Sequence, residues 1–197
     1  EMGASDMISM LGGGTADTLL MVFVSTLMGY VIGLPLGVCL TIFDADGISP
    51  HPWIYKLLDF VINITRSVPF LILLILIQPF TKMLVGKSYG TTATIVPLTV
   101  AAAPFIARMV ESSLKEVDKG VIEAAVSLGA KKSTIVTKVL IAEARTSLLV
   151  GVTIALGTIL GYSAMSGVVG GGGLGDIAIK YGYYRYETDI MLVTVLV

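Results

Sequence analysis

Charge is what this chain lacks most. Of its 197 residues only 14% are Asp, Glu, Lys or Arg, against about 25% in an ordinary soluble domain. Hydrophobic residues make up 55%, and the mean hydropathy is +0.90. Such a chain cannot clothe a water-facing surface, and it reads as an integral membrane protein with several spans. Neither sign dominates: 13 Lys and Arg face 14 Asp and Glu, a formal net charge of -1, which leaves no basic face for nucleic acid. Cysteine occurs once. Cys39 lies in an apolar run, so no disulfide framework and no cysteine metal cluster can form within the chain. Histidine also occurs once, as His51 in SPHPW, where flanking prolines suit a turn or an interface. There is no H-E-x-x-H and no carboxylate pair inside an apolar run, so membrane-embedded hydrolysis would lack its base and its metal. No catalytic residue, metal or cofactor is expected on this chain. The N-terminal EMGASDMISMLGGG has no Lys or Arg and so lacks the basic start of a signal peptide.

What is present is a series of long apolar runs, and the fold class they predict is all-α and polytopic. Residues 18–43 carry no charge, and at about 1.5 Å per residue they can cross a core ~30 Å thick. Gly29, Gly33 and Gly37 recur every four residues there, a small face that lets another helix approach closely. A second span is expected over about 57–80, with Asp59 and Arg66 in its first half and a kink at Pro69. A third is expected over 90–108, broken by Pro97 and Pro104. A fourth, 146–166, begins a charge-free run that continues to Gly175; its glycine-rich end is expected to turn back as a loop. A fifth starts near 188 and is expected to be incomplete in the 197 residues. The whole reads as one transmembrane domain, 1–197, of about five spans.

Lys and Arg set the orientation. Seven of the 13 lie between the third and fourth spans: Arg108, Lys115, Lys119, Lys131, Lys132, Lys138 and Arg145. The segment 111–145 is therefore expected in the cytoplasm and the N-terminus outside. Two tempting motifs fail. VGKS at 85–88 has Thr81 where a phosphate-binding loop needs its first glycine, and GGGGLG at 170–175 follows an apolar helix rather than a strand. The glycine-rich stretch is better suited to a tight turn or a close backbone approach. Arg66, in NITRSVPF, is the charge best placed inside an apolar run. It is either a functional intramembrane cation or a side chain that snorkels to the interface.

The charged segment contains a helix with unusual character. Gly120 precedes a predicted short helix, 121–128, in which Ile122 and Val126 share one stripe and Val121, Ala125 and Leu128 another. Glu123 is placed near its N-terminus, favourable to the dipole, and Gly129 suits the left-handed position that closes a helix. Ala124 and Ala125 leave little bulk. Ser133 is expected to cap the next helix. A mere connecting loop has no need of an apolar face in the cytoplasm; a helix that docks in a partner's groove does.

EAAVSLG, residues 123–129, resembles the E-A-A-x-x-x-G signature of permease subunits of bacterial ABC importers. That signature continues, nine residues after its glycine, with I-x-L-P. Here Val139, Leu140, Ile141 and Ala142 follow, with alanine at the proline position. The stretches FVINITRSVPFLILL, AAAPFIARMVESSLKEV, IEAAVSLGAKK and GYSAMSGVVGGGGLGDIAIKYGYYRY are similar to the methionine importer permeases along most of the chain. The resemblance implies a bacterial inner-membrane homodimer of five helices per subunit. It implies two ATP-binding-cassette ATPase subunits, which carry the ATP and Mg, and an extracytoplasmic methionine-binding lipoprotein. It also implies that Val121, Ile122, Glu123, Ala124, Ala125, Val126, Leu128 and Gly129 couple the permease to the ATPase. Small residues in the fourth span and the flexible Met165 make Tyr162, Ser163, Met165 and Ser166 candidates for a gate at the two-fold axis. The alternative class is an ion- or proton-coupled secondary transporter of a small amino-acid-like solute, for which internal repeats and midplane ionisable residues are the usual signs.

Overall fold

The computed structural model describes residues 4–197; Glu1–Gly3, the extreme of the N-terminus expected outside, lie outside the described residues. The described chain is all-α. It forms α1 (Ala4–Phe43), α2 (Pro52–Ser67), α3 (Phe70–Leu76), α4 (Gln78–Val85), α5 (Thr91–Lys115) and α6 (Lys119–Ser127). Next come α7 (Lys132–Thr134), a π-helical stretch Ile135–Leu140, and α8 (Ile141–Glu143). The chain ends with α9 (Arg145–Met165), a 3-10 turn Ser166–Val169, α10 (Gly173–Ile177), a second π stretch Ala178–Tyr183, and α11 (Thr188–Leu196). Three helical stretches are long and apolar enough to cross a membrane: α1, α5 and Arg145–Tyr183. The count is four if α2 and α3 form one broken span. α11 has nine residues, short of the roughly 20 that a crossing needs.

Two compact units divide the chain. One combines Glu1–Leu27, Val68–Ala101 and Leu156–Val197; the other combines Met28–Ser67 and Ala102–Ala155. The division falls inside α1, α5 and α9, and once in the break between α2 and α3. In the first unit Leu11, Ile177 and Ile190 form a buried cluster. In the second, Leu40, Ile62 and Ala107 bring the end of α1 together with α2 and α5.

Several expected boundaries change. The first helix is 40 residues long and starts before residue 18. Asp6 and Asp17 limit an apolar span but not a helix, whose backbone ladder is indifferent to an exposed carboxylate. The second span is not one helix. Val68 and Pro69 break it into α2 and α3, because proline has no N–H to give and biases the preceding residue away from helical angles. The third is unbroken through Pro97 and Pro104. Each proline removes one bond of a 25-residue ladder, a loss that close packing against neighbouring helices can absorb. Ala102, Ala103, Ile106, Ala107 and Val110 on α5 are all buried.

The glycine-rich segment after α9 turns back as expected. Gly170, Gly172 and Gly173 have φ of 72°, 83° and 74°, angles that glycine tolerates at no steric cost. The Gly171 N–H donates to the Ser166 carbonyl at 3.0 Å. Neighbouring elements then claim the turn: the Gly90 N–H donates to the Gly170 carbonyl at 2.9 Å, and Thr94 Oγ1 donates to the Gly171 carbonyl at 3.0 Å. The Leu174 N–H donates to Thr18 Oγ1 at 2.9 Å. A Cβ at Gly172 would lie 2.7 Å from Thr91 Oγ1, so close approach as well as φ selects glycine.

Candidate functional site

α6 is the element the sequence singled out, and its ends explain its length. Asp118 is the N-cap, and its Oδ1 accepts from the Gly120 N–H at 2.6 Å. The helix therefore starts at Lys119, two residues before the expected start, and Gly120 lies inside it. Glu123 falls in the second turn, so it is not the carboxylate that meets the N-terminal dipole. Asp118 takes that role. At the other end Gly129 has φ 74°. The Gly129 N–H donates to the Val126 carbonyl at 2.9 Å and the Ala130 N–H to the Ala125 carbonyl at 3.1 Å, the paired bonds of a Schellman cap.

No residue of α6 is buried. Ile122 and Ala125 are half-buried, while Val121, Val126 and Leu128 are exposed, Leu128 at 87%. Ala124 and Glu123 lie on the exposed part. Leu128 and Val126 are apolar groups that this chain leaves to water on a helix otherwise flanked by charge, the pattern of a docking face. The next helix is not capped by Ser133. Lys131 occupies the N-cap with no side-chain bond, and a π-helical stretch follows.

Beneath α6, in the same unit, lies a charge network that the sequence reading missed. Arg108, Glu111 and Lys115 share one face of α5. Arg108 Nη1 donates to Glu111 Oε2 at 2.6 Å, and Nη2 is paired with Asp59 of α2. The same Nη2 donates to Asn63 Oδ1 at 3.0 Å. Lys115 Nζ meets Glu111 Oε1 at 2.8 Å and Asp44 Oδ2, just past α1, at 2.5 Å. Tyr55 of α2 donates to Glu111 at 3.2 Å. The Glu111 side chain is only 6% exposed and accepts from all three donors, which offsets the cost of burying its charge. The Lys115 hydrogen bond holds the Asp44 carboxyl below the usual carboxylate range. Two signals in the sequence pointed here: the i, i+3, i+7 spacing of Arg108, Glu111 and Lys115, and Asp59 in an apolar run, which needs a partner. Between the loop after α1, the end of α5 and α6 lies a cleft of about 760 Å³ lined by Ile48, Leu114, Ile122 and Leu140.

The remaining candidates fall in different settings. Arg66 is exposed in the last turn of α2. The Tyr162 ring stacks on Phe70, with centroids 4.8 Å apart. Ser163 and Ser166 are buried in the packing of their own unit. Ser166 Oγ donates to the Ser163 carbonyl at 2.6 Å, and Ser163 Oγ to that of Leu160 at 2.7 Å. Met165 alone of the four is exposed, at 47%. Among the described residues no group of three or more His, Cys, Asp or Glu could hold a metal ion.

Span-length apolar helices, together with a capped apolar helix left exposed on a charged segment, define a polytopic helical membrane protein. The chain belongs to the family of binding-protein-dependent transport system inner membrane components, whose sequence pattern matches residues 29–197. It is 50% identical to the probable D-methionine transport system permease protein MetI of Vibrio cholerae over 182 residues, 92% of this chain and 81% of that one. It is 50% identical to the D-methionine transport system permease protein MetI of Escherichia coli K12 over 161 residues, 82% and 74% of the two chains. Among solved structures it is similar to a chain of the inward-facing MetNI methionine ABC transporter, with a TM-score of 0.96 and 47% identity, covering 99% of this chain and 90% of that one. An amino acid ABC transporter described with histidines shares the fold at 22% identity, with a TM-score of 0.77.

Proposed function

We propose that this chain is the transmembrane permease subunit of an ATP-driven importer that moves methionine, L- or D-, across the bacterial inner membrane. The observation that carries the reading is α6, an EAAVSLG helix capped at both ends that leaves Val121, Val126 and, at its C-cap, Leu128 exposed. Residues 1–197 act as one permease domain with no catalytic residue. ATP and Mg sit on two ATPase subunits, each of which receives one α6. ATP-driven closure of the ATPase pair draws the two α6 helices together and switches the spans between inward- and outward-open states. An extracytoplasmic methionine-binding lipoprotein delivers the substrate. The homodimer is supported by α9, where a Cβ at Gly157 or Gly161 would meet nothing within 4 Å, leaving a small-residue face open to a second copy. On that axis Met165, an exposed and flexible side chain, closes the path. Tyr162, Ser163 and Ser166 form the gate with it.

The test is reconstitution. Proteoliposomes holding the chain with its ATPase and binding protein are expected to import radiolabelled methionine only with ATP. Uptake by the chain alone, driven by an ion gradient, would establish the secondary-transporter class instead.

The basic cluster at 108–145 supports a cytoplasmic position for that segment and an external one for residues 81–89. In a Cys39→Ser background, Lys87→Cys is expected to react with a membrane-impermeant thiol reagent on intact cells and Lys131→Cys to stay unlabelled until the cells are opened. The opposite pattern would invert the orientation.

A further inference from the structure

Any movement of α6 reaches α5 through the three residues Glu116–Asp118, and α1 where its glycine face packs on α5, but its route to α2 and to the loop after α1 is not obvious. α6 buries none of its residues, and a cleft separates it from the loop after α1. The direct links there are exposed and weak. Lys119 and Asp46 pair at 3.2 Å with side chains 75% and 80% exposed, and such pairs contribute little. The continuous route lies one layer down. Asp44 follows α1 and binds Lys115. Lys115 binds Glu111, Glu111 binds Arg108, and Arg108 binds Asp59 on α2.

We infer that this chain of ion pairs, Asp44–Lys115–Glu111–Arg108–Asp59, is a strut that carries the displacement of α6 into α1 and α2, with Asp44, Arg108 and Asp59 as positioning residues for coupled transport. The inference rests on the importer reading above. Cohesion alone does not call for these charges. Leu40, Ile62 and Ala107 already pack the same three helices together, and buried ion pairs are often no more stabilising than apolar groups of equal volume. Their distinctive property is direction. Arg108 splits its two Nη groups between α2 and its own helix. Glu111 takes Arg108, Lys115 and Tyr55 at once. An apolar contact lets helices slide by a fraction of a turn; a fork of charge-assisted bonds fixes their register.

The assembled complex in proteoliposomes, assayed with radiolabelled methionine, tests this. Asp59→Asn keeps the shape and leaves Arg108 paired with Glu111. Asp44→Asn cuts the other end. Each is expected to retain substrate-stimulated ATP hydrolysis while uptake falls, raising the ATP spent per methionine by about tenfold, within the range of ordinary coupling between sites. Asp59→Glu is expected to recover part of the coupling, and Asp46→Asn to behave as the unsubstituted complex. An unchanged ratio in both Asp59→Asn and Asp44→Asn overturns the strut. So does a parallel fall of hydrolysis, uptake and membrane-assembled complex in both, which reduces the network to a brace. No uptake by the unsubstituted complex overturns the importer reading itself, and the strut with it.

Discussion

Leu128→Glu is expected to abolish both methionine-stimulated ATP hydrolysis and uptake in the assembled complex, with the chain still present in the membrane at its usual level. Leu128 is 87% exposed, so its replacement removes almost no contact within the chain, and surface changes of this kind shift stability by only about 0.5 kcal/mol. In the docking proposed above, the same side chain would be buried in the ATPase groove. Losing it there costs about 1.5–3 kcal/mol, and an unpaired carboxylate adds its own desolvation cost. At about 1.4 kcal/mol per tenfold, the docked population falls by roughly 100-fold or more. Leu128→Ala, which loses the burial but adds no charge, is expected to fall by about tenfold on the same scale. Hydrolysis and uptake should fall together, which separates this variant from Asp59→Asn. Coupled transport at the normal rate in Leu128→Glu would reduce α6 to a connection between spans.

Position matters within that helix. Ala125 is half-buried on the chain's own side, so a bulky charge there would mix damage to this unit with damage to docking. Ala124 and Leu128 are the cleaner probes. Gly129 meets nothing within 4 Å of an added Cβ. A side chain there would cost only the left-handed backbone penalty, about 1–2 kcal/mol, and would loosen the cap without obstructing the face.

The elements legible from the sequence were those governed by local rules. The closing glycine of α6, the Pro69 break and the return of the 170–175 segment follow from φ limits and missing N–H groups, which depend on one residue at a time. The 40-residue extent of α1 and the continuity of α5 through two prolines depend on neighbours that no window of sequence contains. The helix α6 stood out because apolar residues on a charged segment conflict with composition. The ion network did not, because its members are far apart: Asp44 and Asp59 pair with residues 71 and 49 positions later. Arg66 drew attention as the charge deepest in an apolar run. The fold leaves it exposed at the end of α2 and gives the paired positions to Asp59 and Arg108 instead.

The spacing of Gly29, Gly33 and Gly37 was also legible, and it carries the largest expected effect on stability. All three face α5 in the second unit. A Cβ at Gly29 would lie 2.7 Å from that of Ala102; at Gly33, 2.6 Å from the Ala103 carbonyl oxygen; at Gly37, 2.5 Å from the Ala107 carbonyl oxygen. Two of these obstacles are backbone, which cannot swing aside as a flexible side chain would, so α1 and α5 meet almost backbone to backbone. Gly33→Leu must push the helices apart along the whole stripe. Overpacking a close interior contact costs about 1–3 kcal/mol, and the loss here extends to the contacts made through Gly29 and Gly37. The variant is expected to unfold at a clearly lower temperature in detergent and to yield little monodisperse protein. Gly12, in the same helix, provides the control. An added Cβ there meets nothing within 4 Å, and alanine is about 1 kcal/mol more favourable than glycine in a helix interior. Gly12→Ala should therefore unfold at the same temperature or slightly above. Equal thermal stability of Gly33→Leu and the unsubstituted chain would mean that α1 and α5 do not pack through this glycine face.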